Sequence, residues 1–354
     1  MMNVPQPDFS LFYQKTNITA DIEPHLISLS YTDYLEGQSD ELQVEFEDIA
    51  GKWIRAWFPT QGDKLKAAIG YKHQPLVEIG AFEIDEVEYS YKPTTVSLKA
   101  LSTGISKANR TNKPKAYENT TLAQIVAKVA ERLKLKVVGK IDNIPIKRVT
   151  QYQERDVEFL ARLAREYHHS FKIVGDQLVF TNKSELGQSE PVLVLDQSQT
   201  ISLRLRDRIK DTAKAVNISG YDANGKKVVK KYKKRTALRP QLKQAKTASE
   251  DTLQVITRGE SQQQIDARGE AALAEQNDDQ TAGKITLIGN PKLVAGATIL
   301  LTNLGVFSGK YLIKQSRHSI IRSQSYTTEI EVRMLEFIPD DLENVVQGES
   351  HVNS

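Results

Sequence analysis

The chain has 354 residues and not one cysteine. That absence excludes disulfide frameworks, thiolate-held metals, iron–sulfur clusters and cysteine nucleophiles together. Aromatic residues are sparse, at 7%. No apolar run reaches the roughly 20 residues of a bilayer-spanning helix. The opening Met-Met-Asn-Val-Pro-Gln-Pro-Asp lacks the basic and apolar blocks of a secretory signal, so the expectation is a chain that is soluble as made and does not engage membranes. There is no Gly-x-Ser-x-Gly elbow, no phosphate-cradling Gly-x-x-x-x-Gly-Lys-Ser/Thr loop and no Gly-x-Gly-x-x-Gly fingerprint, which removes the sequence support for nucleotide chemistry. The six histidines, His25, His73, His168, His169, His318 and His351, include no pair four residues apart that could aim two imidazoles at one metal. No catalytic residue, metal or cofactor is therefore expected, and His168–His169 reads as a surface pair at a helix end.

What the sequence does have is segregated charge. Residues 1–100 carry 8 Lys/Arg against 16 Asp/Glu, residues 101–240 carry 29 against 14, and residues 241–354 carry 11 against 15. A net +3 thus hides an acidic start and a strongly basic middle. Such polarity suits parts that face different partners, and also suits ordinary solvated surface.

Hydrophobic periodicity divides the chain into units. Over the first hundred residues apolar side chains recur at every second position: Ile27, Leu29 and Tyr31; Leu42, Val44 and Phe46; Leu65, Ala67, Ile69 and Tyr71; Val96, Leu98 and Ala100. Turn-formers such as Gly37, Pro59, Gly62, Gly70 and Gly80 separate these runs. Short one-faced strands at this spacing predict an antiparallel barrel or sandwich. The period then becomes helical at Leu122, Ile125, Val126, Val129 and Leu133, with Thr121 and Gln124 at capping-box spacing. A second helix is expected over about 154–167, followed by a hairpin through Phe171, Ile173, Gly175-Asp176, Leu178 and Phe180. Strand patterning resumes from Val192, with a turn expected at Asp222-Ala-Asn-Gly225. A helix near 260–277, with a thin apolar stripe of Ile265, Ala272 and Leu273, interrupts it. The expected fold class is mainly β with an α+β middle: a β-barrel over 1–104, an α+β domain over 105–187, a second β-barrel over 188–338 and a loosely held tail over 339–354.

Two charged clusters invite chemistry. Glu83, Asp85, Glu86 and Glu88 could supply the two carboxylates of a glycoside hydrolase, provided an apolar pocket raised one of their pKa values. Their alternation with Phe82, Ile84 and Val87 around an expected bulge reads instead as a solvated strand face, and Asp40, Glu41, Glu45 and Glu47 read the same way. Lys226, Lys227, Lys230, Lys231, Lys233, Lys234 and Arg235, with Tyr232 among them, could grip nucleic-acid phosphates, meet an acidic protein surface or lie solvated.

Several stretches, taken in order, resemble the phage late control D family, the baseplate hub proteins of contractile tails. They are Pro7-Asp8-Phe9, Thr32-Asp33, Ser39-Asp40-Glu41-Leu42, Trp57-Phe58-Pro59 with Gly62-Asp63, Ile69-Gly70-Tyr71 and Gly80 to Asp85. The most distinctive are central, Ala116-Tyr117-Glu118 and the run from Gln151 to Ala164; Gly289-Asn290-Pro291, Gly296, Gly309-Lys310-Tyr311 and His318 follow. The resemblance implies a structural, non-enzymatic part of a virion tail baseplate, made in the bacterial host cytoplasm. It further implies a homotrimer whose two tube-like barrels per chain form a pseudo-sixfold ring between a sixfold tail tube and a threefold spike. Relative to the related VgrG proteins, the sequence leaves no room for a fused spike, so a separate spike protein is expected beside the tube and other baseplate proteins. The basic run is the expected partner-binding segment. Two alternatives remain at this level: a tail-associated peptidoglycan hydrolase using Glu83 and Asp85, and a nucleic-acid binder using residues 226–235.

Overall fold

A computed structural model describes residues 5–102, 114–208, 210, 212–221, 227–234, 238, 251–258, 261–322 and 325–340. The chain is mainly β. Most strands belong to one continuous 13-stranded sheet, which contains two groups of six. The first group is Pro7–Tyr13, Leu26–Tyr34, Glu41–Glu47, Lys64–Tyr71, Val77–Ser90 and Thr95–Ser102. The second is Leu193–Leu195, Ser202–Asp207, Thr281–Ile288, Thr298–Leu301, Gly309–Ile321 and Tyr326–Phe337.

Numbered in chain order within each group, both sets run second, third, sixth, fifth, fourth, first across the sheet. The likeness extends to irregularities. Gly62 and Gly296 adopt φ of +91° and +90°, a left-handed backbone suited to glycine. Their amides bond the carbonyls of Ile84 at 2.7 Å and Ile313 at 2.9 Å, and those isoleucines bond back to the residue after each glycine. Immediately beyond, both fifth strands shift register against the sixth, between Ile84 and Glu86 and between Ile313 and Gln315. The groups differ where first meets fourth, a pairing that is antiparallel in the first group and parallel in the second.

The alternation read from the sequence places these strands. Leu42, Val44 and Phe46 are fully buried while Gln43, Glu45 and Glu47 lie half-buried on the other face. Each such buried side chain stabilises the fold by about 1.5–3 kcal/mol relative to exposure. The first group closes around Leu11, Leu29, Leu65, Ile69, Phe82 and Leu98, and the second around Ile285, Ile299, Tyr311, Ile313 and Ile330. Ile320 and Tyr326, from the second group, pack into the first core. The two groups are therefore fused edge to edge: Gln315–Ile321 pairs antiparallel with Ser28–Tyr34. The described hydrogen bonds do not close either group into a separate barrel, so the observed form of the expected barrels is a pair of like-ordered groups in one sheet.

Between them lies an α+β unit. Helices Leu122–Leu133 and Asp156–Glu166 pack with a two-stranded and a three-stranded sheet around Ile125, Val129, Phe159, Leu163, Leu178 and Phe180. The expected box is present, with Gln124 N donating to Thr121 Oγ1 and Thr121 N donating to Gln124 Oε1. The helix expected near 260–277 spans Gln262–Asn277 and rests on a small sheet of Ala215–Tyr221, Lys227–Lys234 and Thr252–Arg258. Ala271 is buried there rather than Ala272. The turn expected at 222–225 and the tail beyond Asp340 lie outside the described residues.

Candidate partner-binding sites and the joint that positions them

The hairpin end of the first group's second and third strands, from Asp33 to Asp40, is the joint of the molecule. Asp33 and Asp40 are 4% exposed, and both bond the Lys172 ammonium, which reaches Asp40 at 2.8 Å. This corrects the reading of Asp40 as solvated: it faces the α+β unit and also accepts from Tyr34 N at 3.0 Å. Asp33 accepts from Ala295 N, in the second group, at 2.8 Å. Burial pushes the Asp40 carboxyl up to about 6 against the pull of Lys172. Burial also pulls the Lys172 ammonium down, but the charges of Asp33 and Asp40 outweigh it and leave it above its ordinary value. One cation here holds two carboxylates from the hairpin.

A second cluster continues the joint. Lys183, 3% exposed, bonds Glu36 and Glu275 at 2.8 Å each, and Arg333 bonds Asp278 at 2.5 Å. Ligand atoms of His168, Glu275 and Asp278 lie within 4.8 Å of one another. Lys183 and Arg333 already neutralise those carboxylates, so the arrangement is that of an ion-pair network. The histidine reading is also corrected. His169 is fully buried at the start of His169–Val174, its Nδ1 2.7 Å from Tyr167 O, and His168 sits before it at φ +56°. The helix ends at Glu166, within one residue of the expected end, and it is the strand starting at His169 that carries the pair inward. Burial pulls His168 down to about 4.

The central motifs form another buried network. Arg132 donates to both oxygens of Asp156, at 2.8 and 2.5 Å, and to Tyr117 Oη at 3.2 Å; fully buried Gln151 donates to Asp156 Oδ1 at 2.8 Å. These residues hold two helices and a sheet together.

The acidic cluster lies where the sequence put it. Glu83, Asp85, Glu86 and Glu88 are exposed on Val77–Ser90, while Phe82, just before them, and Ile84, among them, are buried. Glu83 and Asp85 thus stand in water, outside the apolar pocket that a general acid needs. Of the basic run, Lys226 and Arg235 lie outside the described residues. The backbone of Lys227, Lys230, Lys231, Lys233 and Lys234 forms one edge of the small three-stranded sheet. Lys233 pairs with Glu270 of the overlying helix at 2.5 Å, and Lys234 is exposed. Lysines on an edge strand also repel unwanted strand pairing.

The family model for phage tail baseplate hub (GPD) proteins matches residues 101–324. The chain belongs to the phage tail baseplate hub (GPD) family. Probable baseplate hub proteins of Escherichia phages P2 and 186 are 31% and 29% identical over 176 residues, which is 49% of this chain. That match spans 45% and 44% of those relatives, less than half their length. The fold of this hub-family chain is similar to that of a tail protein from Neisseria meningitidis MC58, with TM-score 0.67 and 12% identity over 93% of this chain and 97% of that one. It is also similar to a 43 kDa tail protein of prophage MuSo2 from Shewanella oneidensis, with TM-score 0.65 and 15% identity over 93% and 98%. An Escherichia coli type VI secretion component shares the fold at TM-score 0.53, with 15% identity over 90% of this chain and 74% of that one.

Proposed function

We infer that this chain is the structural hub of a virion tail baseplate or related injection apparatus. Three copies form a ring that joins a sixfold tail tube to a threefold spike, and no chemical step is involved. The observation that carries this reading is the shared strand order of the two six-stranded groups, with their matching Gly62/Ile84 and Gly296/Ile313 brackets. Two equivalent but unequal groups per chain let three chains present six similar faces to a tube and three distinct ones to a spike. The divisions 1–104, 105–187 and 188–338 serve as two ring-building modules with a spacer between them. The Asp33–Lys172–Asp40 joint holds the modules at the angle that a closed ring requires.

The basic edge supplies a contact with an acidic partner in the baseplate. Replacing Lys230, Lys231, Lys233 and Lys234 with Glu is expected to abolish co-purification of spike or tube protein with the tagged chain while its circular dichroism stays unchanged. Undiminished co-purification contradicts that role. A nucleic-acid role would show instead as binding that falls steeply with salt.

A further inference from the structure

We propose that copies of this chain join by antiparallel strand pairing between residues 86–90 of one copy and residues 204–208 of the next, with Glu88 opposite Arg206 and Tyr89 opposite Leu205. The inference rests on the ring reading and supplies its interface. It follows from repeating, between copies, the contact that fuses the two groups within one.

The equivalence can be traced residue by residue. Starting beyond the paired bulges, Glu86 corresponds to Gln315 and Glu88 to Arg317. Across the first group, Glu88 lies in a row with Ser97, Glu45 and Ser28. Across the second, Arg317 lies in a row with Glu329, Thr286 and Ser202. Ser28 is therefore the equivalent of Ser202, Tyr31 of Leu205 and Thr32 of Arg206. Within the chain, Arg317 is opposite Thr32 and His318 opposite Tyr31. Carried over, those pairs become Glu88 with Arg206 and Tyr89 with Leu205, and the next outward pair is Glu86 with Arg208.

Among the described residues, neither edge has a further strand paired along the stretch that this contact uses. The fifth strand of the first group is, among those residues, hydrogen-bonded on that side only as far as Ile84, and Ser202–Asp207 forms a strand ladder only with Thr281–Ile288. Their side chains complement each other in a way that the equivalence did not require. One edge presents Asp85, Glu86 and Glu88, the other Arg204 and Arg206, all exposed. Neither Glu88 nor the two arginines has an ion-pair partner among the described residues. Cross-strand opposite charges and aromatic–aliphatic pairs each favour a register by about 0.2–1 kcal/mol. Tyr89, 46% exposed in one copy, would be covered on the face where His318 and Tyr31 stack within the chain. Each copy carries one edge of each kind, so the contact is head-to-tail, the type of contact that a closed ring of identical chains uses.

The cysteine-free background allows a direct test. Glu88→Cys and Arg206→Cys chains, mixed at high concentration and oxidised with copper–phenanthroline, are expected to give a covalent dimer that neither variant gives alone. Glu88→Arg and Arg206→Glu, each separately, are expected to raise the concentration needed for assembly at least tenfold, and the doubly reversed chain to regain most of it. Trimers that neither cross-link in the mixture nor respond to reversal overturn this interface and leave the ring reading standing. A chain that stays monomeric at every concentration and does not cross-link overturns both.

Discussion

Lys172→Met is expected to destabilise the chain by about 3–5 kcal/mol, because it removes the cation that bonds both buried carboxylates, Asp33 and Asp40. Asp33 and Asp40 sit at 4% exposure with Lys172 between them, so neither can recover water without opening the joint. Their backbone partners, Ala295 N and Tyr34 N, need only an acceptor oxygen, which an amide also supplies. Combining Lys172→Met with Asp33→Asn and Asp40→Asn should therefore regain more than half of the lost stability in urea unfolding. A single Lys172→Met that unfolds at the wild-type midpoint would show that the joint carries no such strain. If the joint sets the angle between the two groups, the single variant should also lose assembly before it loses secondary structure.

The second large effect is a loss of stability in acid through His318. The ring is 1% exposed, stacks on Tyr31 at 5.9 Å, and is held by Tyr326 Oη and Thr328 Oγ1 at Nδ1 and by Ser316 Oγ and Leu293 O at Nε2. A carbonyl can only accept, so the bond to Leu293 O places the proton on Nε2 and leaves Nδ1 to accept from the hydroxyls. Burial pulls His318 down to about 4, from the ordinary 6.5, against smaller opposing contributions from Leu293 O and Asp33. A histidine depressed in the folded state contributes stability that is complete above pH 6.5 and is lost as pH falls toward 4. The loss approaches about 3 kcal/mol near pH 4. Replacing His318 with Gln should lower stability at pH 7 and flatten the dependence between pH 6.5 and 4 relative to wild type. Equal slopes for the two proteins in denaturant titrations at pH 7 and 4.5 would contradict this.

Much of the fold is legible in the sequence because one-sided burial writes a period into it. Leu42, Val44 and Phe46 or Leu122, Ile125 and Val129 declare strand and helix with no knowledge of their partners. The joint was not legible. Asp40 stands among Glu41, Glu45 and Glu47 and looks like one more solvated acid, and its cation is 132 positions away. His169 and His318 are buried by elements that the local pattern does not contain. Helix Gln262–Asn277 has a thin apolar stripe because it docks partly through Gly269, where an added Cβ would lie 1.9 Å from Ile218, and through Gln264, which donates to Tyr167 Oη at 3.1 Å. The repeated strand order is invisible for a related reason: pairing is a property of register between distant segments, and the equivalent strands share positions in the sheet without sharing residues. The exposed acids at Glu86 and Glu88 and the arginines at 204 and 206 acquire meaning only once that order is known.

The proposed hub role requires three copies to close into one ring. Native mass spectrometry of the purified full chain at tens of micromolar, in volatile buffer of low ionic strength, tests it most directly. A ring of three gives a dominant species of three chains that dissociates as salt rises. A dominant dimer, a six-chain ring, or a monomer unchanged by concentration and salt would contradict it.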